Sequence, residues 1–255
     1  MYNPYSLTGK TILVTGASSG IGRATAIECA KLGAKVVITA RNEDRLKETL
    51  DTLEGEGHQM ICFDLSETEK LNDFVASLPP VQGFVSNAGT TIIAPIKFIK
   101  EDSLEGLLQV NTVSPILLLQ RLLKKRILGK GSSVVFTSSM AALGKGTPGN
   151  TMYSASKGAI SAFIQNAALE LSAQRIRVNA VCPGTVDTPL IHSGGITDEQ
   201  LSEDAKKYPL GYGQPEDIAL GIAYLLSDAA KWVTGTNVII CLLYTSPSPR
   251  DRSLS

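Results

Sequence analysis

Seven short runs of apolar, largely β-branched residues recur along this 255-residue chain, and a stretch with helical character follows each of the first six. Within the runs, apolar residues follow one another instead of alternating with polar ones. This is typical of parallel strands that helices cover on both faces. The pattern predicts a doubly wound α/β fold with about seven parallel strands. The runs are residues 11–15, 35–39, 59–63, 83–86, 133–138, 177–181 and 237–240.

The length of the chain and its hydrophobic content of 43% suffice for one large core. An α/β domain of this size needs no division, so we expect a single domain over residues 1–240. A long polar interval, residues 187–217, follows the sixth run. Because loops at the carboxyl ends of parallel strands form the ligand crevice, this interval is predicted to be a substrate lid.

Composition argues against several classes of partner. The 24 Lys and Arg residues equal the 24 Asp and Glu residues, and no long basic run occurs, so neither nucleic acid nor an anionic membrane surface is predicted. The N-terminal residues lack the pattern of a secretion signal, and no apolar run is long enough to span a bilayer, so we expect a cytoplasmic protein. Cys29, Cys62, Cys182 and Cys241 lack metal-ligand or redox spacing, which favours reduced thiols and no metal.

The segment TGASSGIG, residues 15–22, directly follows the first run and opens a helical stretch. Its glycines allow a tight turn and a close approach to a pyrophosphate, and the helix N-terminus offers free N–H groups to that anion. Because strand and helix are both present, we interpret the segment as a dinucleotide site rather than a structural glycine-rich turn. The predicted contacts are Gly16, Ser18, Ser19, Gly20, Ile21 and Gly22.

The second run is followed by Ala40 and Arg41, where an NAD site usually offers a carboxylate to the ribose hydroxyls. A guanidinium at this point suits a 2'-phosphate, so the predicted cofactor is NADP(H). The alternative is a solvated arginine at a strand end.

Six segments resemble the short-chain dehydrogenase/reductase family in their order and approximate spacing, and they cover nearly all of residues 8–240. The resemblance implies a Rossmann-type fold and hydride transfer between a nicotinamide and a carbonyl or secondary alcohol, but it leaves the substrate open. The segments are TGASSGIG (15–22), SNAG (86–89), QVN ending at Asn111, SSM containing Ser139, YSASK (153–157) and VCPGTVDT (181–188).

Tyr153 and Lys157 share one face if YSASK begins a helix, and a nearby ammonium favours the phenolate of a phenol whose pKa is otherwise ~10. The resemblance implies that Tyr153 is the acid in reduction and the base in the reverse reaction. It further implies that Ser139 hydrogen-bonds the reacting oxygen, that Lys157 also holds the nicotinamide ribose, and that Asn111 anchors a water relay. Pro115 is expected to disturb the helix near Asn111. Without the other segments, a Tyr/Lys pair is equally an ordinary feature of an amphipathic helix.

The resemblance extends to further cofactor contacts, for which ordinary loop structure is the alternative. They are Asp64 and Leu65 at the adenine, Asn87, Ala88 and Gly89 on the adenosine side, and Pro183, Gly184, Val186 and Thr188 at the nicotinamide.

Two departures from the family pattern affect the assignments. Ser86 replaces a common asparagine and keeps a polar side chain. One residue more than usual separates Ser139 from Tyr153, which makes Ser138 a second candidate for the serine role. The extra residue is predicted to bulge within residues 144–150, where Gly and Pro can absorb it.

Partners and substrate follow less directly from the residues. The stretch 154–171 is apolar or small around most of a helix circumference, which favours a homotetramer or homodimer over deep burial in a monomer. The substrate is either a 3-oxoacyl thioester or a steroid, sugar or other small secondary alcohol. A non-catalytic NADP-sensing module is disfavoured because the catalytic set is complete. Five basic residues could dock an acyl carrier protein, although a solvated helix end is favoured: Lys124, Lys125, Arg126, Lys130 and Arg175.

The last segment, residues 241–255, reads CLLYTSPSPRDRSLS and departs from the pattern before it. The family's usual Asp-Gly-Gly ending is absent, and the composition is typical of a disordered end. One choice of codons for it resembles a sequencing-library transposon adapter. We therefore predict a non-native extension that packs against nothing from about Thr245 onward, rather than a functional basic tail.

Overall fold

A parallel sheet of seven strands forms the centre of the described part of the chain. The computed structural model describes residues 2–144, 146–193, 197–206 and 208–242, and of Asp198 only the backbone. The strands are β1 (Thr11–Thr15), β2 (Lys35–Ala40), β3 (Gln59–Cys62), β4 (Val81–Ser86), β5 (Leu128–Thr137), β6 (Arg177–Pro183) and β7 (Asn237–Ile240). Their order is β3-β2-β1-β4-β5-β6-β7, and each predicted apolar run falls on one of them. The predicted Rossmann-type fold is confirmed.

Helices cover both faces of this sheet. They are α1 (Gly20–Lys31), α2 (Glu43–Asp51), α3 (Leu71–Ala76), α4 (Glu101–Leu108), α5 (Ser114–Lys124), α6 (Thr151–Leu171), α7 (Pro189–His192), α8 (Asp198–Ala205) and α9 (Pro215–Leu226). Helices α3, α5 and α6 pack over Leu13 and Phe84 on one face, whereas α1, α2 and α9 pack over Ile12 and Val14 on the other. Neighbouring residues of a strand point to opposite faces, so both cores require apolar side chains and the strands become continuously apolar.

The strand order reverses between β1 and β4, and this reversal creates the crevice. The chain builds β1, β2 and β3 outward on one side and then returns to place β4 on the other side of β1. Connections leaving the carboxyl ends of these strands therefore diverge, as ligand crevices of open parallel sheets require. Gly16, Arg41, Asn87, Ser139 and Pro183 all lie at this edge.

The predicted lid, residues 187–217, contains α7 and α8 and ends inside the first turn of α9. Two backbone hydrogen bonds fasten its far end: Asp187 N donates to Gly213 O at 2.8 Å, and Gly213 N donates to Thr185 O at 3.1 Å. The polar interval is therefore largely ordered in its described parts, because short helices and backbone bonds satisfy its polar groups.

The prediction of a foreign tail falls mostly outside the described residues, which end at Leu242. Cys241 packs closely on the loop after β6, since a Cβ added to Gly184 would lie 2.5 Å from the Cys241 Sγ.

All four cysteines lie in the described ranges and are free thiols, and burial raises the pKa of Cys29 to about 12. None of the described helices is long and apolar enough to cross a membrane.

Candidate active site

A cavity of about 780 Å³ opens at the carboxyl edge of the sheet. Ser139, Tyr153 and Lys157 line it together with most of the predicted cofactor contacts. Those contacts are Gly16, Ser19, Gly20, Ile21, Arg41, Asp64, Leu65, Asn87, Ala88, Gly89, Pro183, Gly184, Val186 and Thr188. Three predicted residues do not line the wall: Ser18, Gly22 and Asn111.

The glycine loop after β1 has the shape that a bound pyrophosphate needs. Gly16 has a φ of +67°, and a Cβ there would lie 2.8 Å from Ala88 Cα. Gly22 packs behind the loop, where a Cβ would meet Gly16 O at 2.2 Å. Helix α1 begins at Gly20 with no side-chain cap from Ser19, so its first N–H groups depend on water or a ligand. The loop therefore fits an anion at the cavity wall.

Two guanidinium side chains flank the cavity at the end of β2. Arg41 lies on the exposed rim, and Arg45 lies beside it in the first turn of α2. Asp64 accepts hydrogen bonds from Ser66 N at 2.9 Å and Ser66 Oγ at 2.8 Å, and these bonds, with the charge of Arg41, hold its pKa below the usual value. Sequence reasoning missed Arg45, because Arg41 precedes α2 and no helical spacing relates the two residues.

Lys157 is almost completely buried and points back into the sheet. Its Nζ donates to Thr137 O at 2.7 Å and lies 5.8 Å from the centroid of the Tyr153 ring. Burial lowers the pKa of its ammonium to about 8. Helix α6 thus brings the Tyr/Lys pair onto one face of adjacent turns, as its spacing predicts.

Tyr153 meets Ser139 at the cavity wall, but its acidity differs from the prediction. Burial raises the pKa of the phenol, and a hydrogen bond with the Ser139 side chain only partly opposes this rise. The expected lowering by Lys157 is not seen, because the ammonium is directed at the Thr137 carbonyl. Helical spacing establishes proximity but leaves the direction of a long side chain open.

Asn111 lies in a five-residue π-helical turn, Gln109–Val113, directly before α5. Pro115 cannot donate to the carbonyl four residues earlier, which is that of Asn111, so the predicted helix disturbance is confirmed. The Asn111 Nδ2 donates to Thr90 O at 2.9 Å and to Ser156 Oγ at 3.1 Å. Asn111 therefore contacts the Tyr/Lys helix from behind the cavity wall.

The structure separates the two candidate serines. Ser138 is directed into α6, where its Oγ donates to Lys157 O at 3.1 Å, whereas Ser139 faces the tyrosine. In the loop that follows, Gly144 and Gly149 have φ values of +93° and +83°. Both are conformations that glycine adopts at little cost, in the segment predicted to absorb the extra residue.

Sequence reasoning also missed the tyrosine pair of the lid. The Tyr208 and Tyr212 rings pack edge to face with centroids 5.2 Å apart. The Tyr208 hydroxyl is 2.9 Å from Thr185 Oγ1, and the Tyr212 hydroxyl donates to Asp204 Oδ2 at 2.9 Å. Two aromatic residues four positions apart in an otherwise polar interval were the available signal.

The family profile described as "Enoyl-(Acyl carrier protein) reductase" matches residues 16–241. The 3-oxoacyl-[acyl-carrier-protein] reductase FabG of Rickettsia felis is 32% identical over 233 residues, covering 91% of this chain and 95% of the relative. Versicolorin reductase stcU of Emericella nidulans is also 32% identical, over 249 residues, covering 91% and 94%.

A solved structure from Beutenbergia cavernae, provisionally named an NAD(P)-dependent gluconate 5-dehydrogenase and containing NADP at low occupancy, superposes with a TM-score of 0.81. It is 29% identical, and the match covers 93% of this chain and 97% of that one. The profile match runs from the glycine loop after β1 to the end of β7. The chain belongs to the short-chain dehydrogenase/reductase family and is an oxidoreductase of the nicotinamide-dependent kind.

Proposed function

We propose that the protein is an NADP(H)-dependent reductase of 3-oxoacyl thioesters. The observation that carries the proposal is the meeting of Ser139, Tyr153 and Lys157 in one cavity, to whose wall the lid contributes Leu190, Ile191 and Leu201. The similarity to a reductase of acyl-carrier-linked substrates supports the same substrate class.

The chain's own side chains divide the proton chemistry among them. Tyr153 donates a proton to the substrate carbonyl oxygen, and Ser139 hydrogen-bonds the same oxygen as charge develops on it. Lys157, whose Nζ lies 5.8 Å from the Tyr153 ring centroid, would hold the cofactor ribose, while Asn111 fixes the adjoining turn of α6. The cofactor, whose pyrophosphate the glycine loop would hold, would supply the hydride from its nicotinamide.

The lid side of the cavity favours an acyl chain over a sugar. Ile93, Leu190, Ile191 and Leu201 contribute apolar surface there. The hydroxyls of the lid tyrosines are already bonded within the protein, so the lid offers ring surface more than free donors. Sugar hydroxyls buried against such a wall would lose hydrogen bonds to water, whereas an alkyl chain gains from burial.

The basic residues considered for acyl-carrier docking lie far from this cavity within one chain. Four of them surround the start of β5, and the fifth precedes β6. The cavity lies at the other end of β5, roughly 20 Å away at the usual rise per strand residue, because Leu128 to Ser133 advance only as far as Val81 to Gly83 of β4. In a single chain they therefore form a solvated helix end, so the thioester proposal rests on the cavity instead. They are Lys124, Lys125, Arg126, Lys130 and Arg175.

We further propose a homodimer or homotetramer held through α5 and α6. A mainly apolar groove of about 380 Å³ lies between these helices, with Leu119, Leu123 and Phe163 in its wall. Leu169, on the same helix as Phe163, is 75% exposed. Light scattering after gel filtration tests the assembly, and a strictly monomeric mass at micromolar concentration contradicts it.

The cofactor preference is tested at the end of β2. Arg41→Ala is expected to lower kcat/KM for NADPH by about tenfold with little change for NADH, because a charge-assisted bond to the 2'-phosphate is lost. Ala40→Asp is expected to shift the preference further through repulsion. Steady-state rates with both cofactors measure the effect. Lys47→Ala is the matched control, since Lys47 pairs with Asp51 outside the cavity. Equal wild-type efficiency with NADH and NADPH contradicts the proposed preference.

The substrate class is tested by NADPH oxidation with a panel of ketones. An acyl-carrier-linked 3-oxoacyl thioester is expected to give the highest kcat/KM, ahead of a ketosteroid and a keto-sugar of equal concentration. A hydroxysteroid or other small secondary alcohol remains the alternative if a compact ketone is preferred. NADPH binding without turnover of any ketone would instead indicate the sensing module.

A further inference from the structure

Two consecutive residues at the end of β5 hold Lys157 at both of its ends. The Thr137 carbonyl accepts from the Lys157 ammonium at 2.7 Å, and the Ser138 hydroxyl donates to the Lys157 backbone carbonyl at 3.1 Å. The Ser138 Oγ also lies 2.8 Å from Ser161 Oγ, one turn further along α6. Strand β5 and the lysine's own turn of α6 are thus joined twice.

This junction is closed to water. Ser138 is 2% exposed and Ser161 is 6% exposed. The neighbouring Cys182 thiol is also buried; burial raises its pKa, and hydrogen bonds with the Ser138 and Ser161 side chains partly oppose this rise. Buried hydroxyls in such a place lose hydrogen bonds outright when one partner is removed, because water cannot replace it.

Contacts of this kind fix the orientation of helix α6 about its own axis. Its N-cap, Asn150, makes no side-chain hydrogen bond to the first turn, which carries Tyr153. On another side, Asn111 donates to Ser156 Oγ and Thr112 donates to Ser156 O at 3.0 Å. Successive helix residues lie about 100° apart around the axis, so bonds at positions 156 and 157 restrain rotation from two directions.

We propose that Ser138 is a positioning residue that, together with Ser161, sets the rotation of α6 and so places the Lys157 ammonium relative to the Tyr153 phenol. The proposal rests on the proposed catalytic roles of these two residues. It assigns to Ser138 a role distinct from that of Ser139, which contacts the reacting oxygen.

The test compares Ser138→Ala with Ser133→Ala. Ser133 is on the same strand, is also buried, and donates to Leu225 O of α9 at 2.8 Å, so its removal costs a similar bond away from the cavity. Ser138→Ala is expected to lower kcat for ketone reduction about tenfold with a smaller change in ketone KM. The alkaline limb of its kcat–pH profile is expected to move upward as Lys157 becomes less confined.

Ser133→Ala is expected to lower thermal stability to a similar extent while leaving kcat and the pH profile unchanged. Ser138→Thr, which keeps the hydroxyl, is expected to restore most of kcat. Should Ser138→Ala fail to fold, Ser161→Ala removes the Ser138–Ser161 contact alone, keeps the bond to Lys157 O, and is expected to lower kcat in the same direction by a smaller factor. Equal kcat values and pH profiles for the two alanine variants, or no rescue by threonine, overturn the proposal.

The experiment distinguishes a failure of the proposed function from a failure of the positioning role. A wild-type protein that reduces no ketone contradicts the proposed function, and the positioning role is then read from NADPH affinity. Ser138→Ala is expected to weaken NADPH binding several-fold relative to Ser133→Ala, because Lys157 also contacts the ribose. Identical NADPH affinities in that case contradict the positioning role as well.

Discussion

Tyr153→Phe is expected to lower the rate of NADPH-dependent ketone reduction by about a hundredfold to ten-thousandfold, the range that a positioned acid contributes. The substitution removes the hydroxyl and keeps the ring, so packing at the cavity wall and NADPH affinity are expected to change little. Steady-state kinetics and fluorescence titration with NADPH measure the two effects separately.

Tyr224→Phe is the control, because Tyr224 lies in α9 outside the cavity and its ring packs near Tyr5. It is expected to retain the wild-type kcat. Retention of half the wild-type turnover by Tyr153→Phe would remove Tyr153 from the proton-transfer role.

Lys157→Met is expected to abolish turnover and at the same time stabilise the fold at neutral pH by about 1 kcal/mol. Burial lowers the pKa of the Lys157 ammonium from 10.5 to about 8, which corresponds to about 3 kcal/mol of unfavourable free energy while the folded protein carries the charge. The lost hydrogen bond from the charged ammonium to Thr137 O offsets about 2 kcal/mol of the gain.

The sign of this effect depends on pH. Between pH 8 and 10.5 the unfolded chain binds more protons at Lys157 than the folded one, so the wild-type free energy of unfolding rises with pH there. The electrostatic gain of Lys157→Met is therefore expected to be full below pH 8 and absent above 10.5, where the lost bond to Thr137 O leaves the variant less stable than the wild type. Denaturation at several pH values measures it, with the exposed Lys124→Met as control. A destabilised Lys157→Met at neutral pH contradicts the prediction.

The sheet could be predicted from the sequence because its burial on both faces leaves a strong local signal. In the run 11–15, Leu13 faces one core and Ile12 and Val14 face the other, so the centre of the run is apolar on both sides. The glycine loop could also be predicted from the sequence. Gly16 and Gly22 occupy positions where a Cβ would collide with backbone atoms, so the fold requires glycine there.

The orientation and acidity of the catalytic side chains could not be predicted from the sequence. The choice between Ser138 and Ser139 depends on which face of the strand end meets α6, and both faces accept serine. The partner of the Lys157 ammonium is the backbone carbonyl of Thr137, which carries no side-chain signature. The acidity of Tyr153 depends on burial that forms only when distant segments assemble.

The backbone bonds between Gly213 and residues 185 and 187 have a mechanical consequence. The two bonds flank Val186, a predicted nicotinamide contact. Residues 185–187, here called the cofactor segment, are therefore paired with the end of the lid through a short parallel backbone bridge. Swinging this end of the lid outward requires either breaking both bonds or carrying the cofactor segment with it. Under the proposed function, admission of the ketone and the seating of the nicotinamide would both depend on this single hinge.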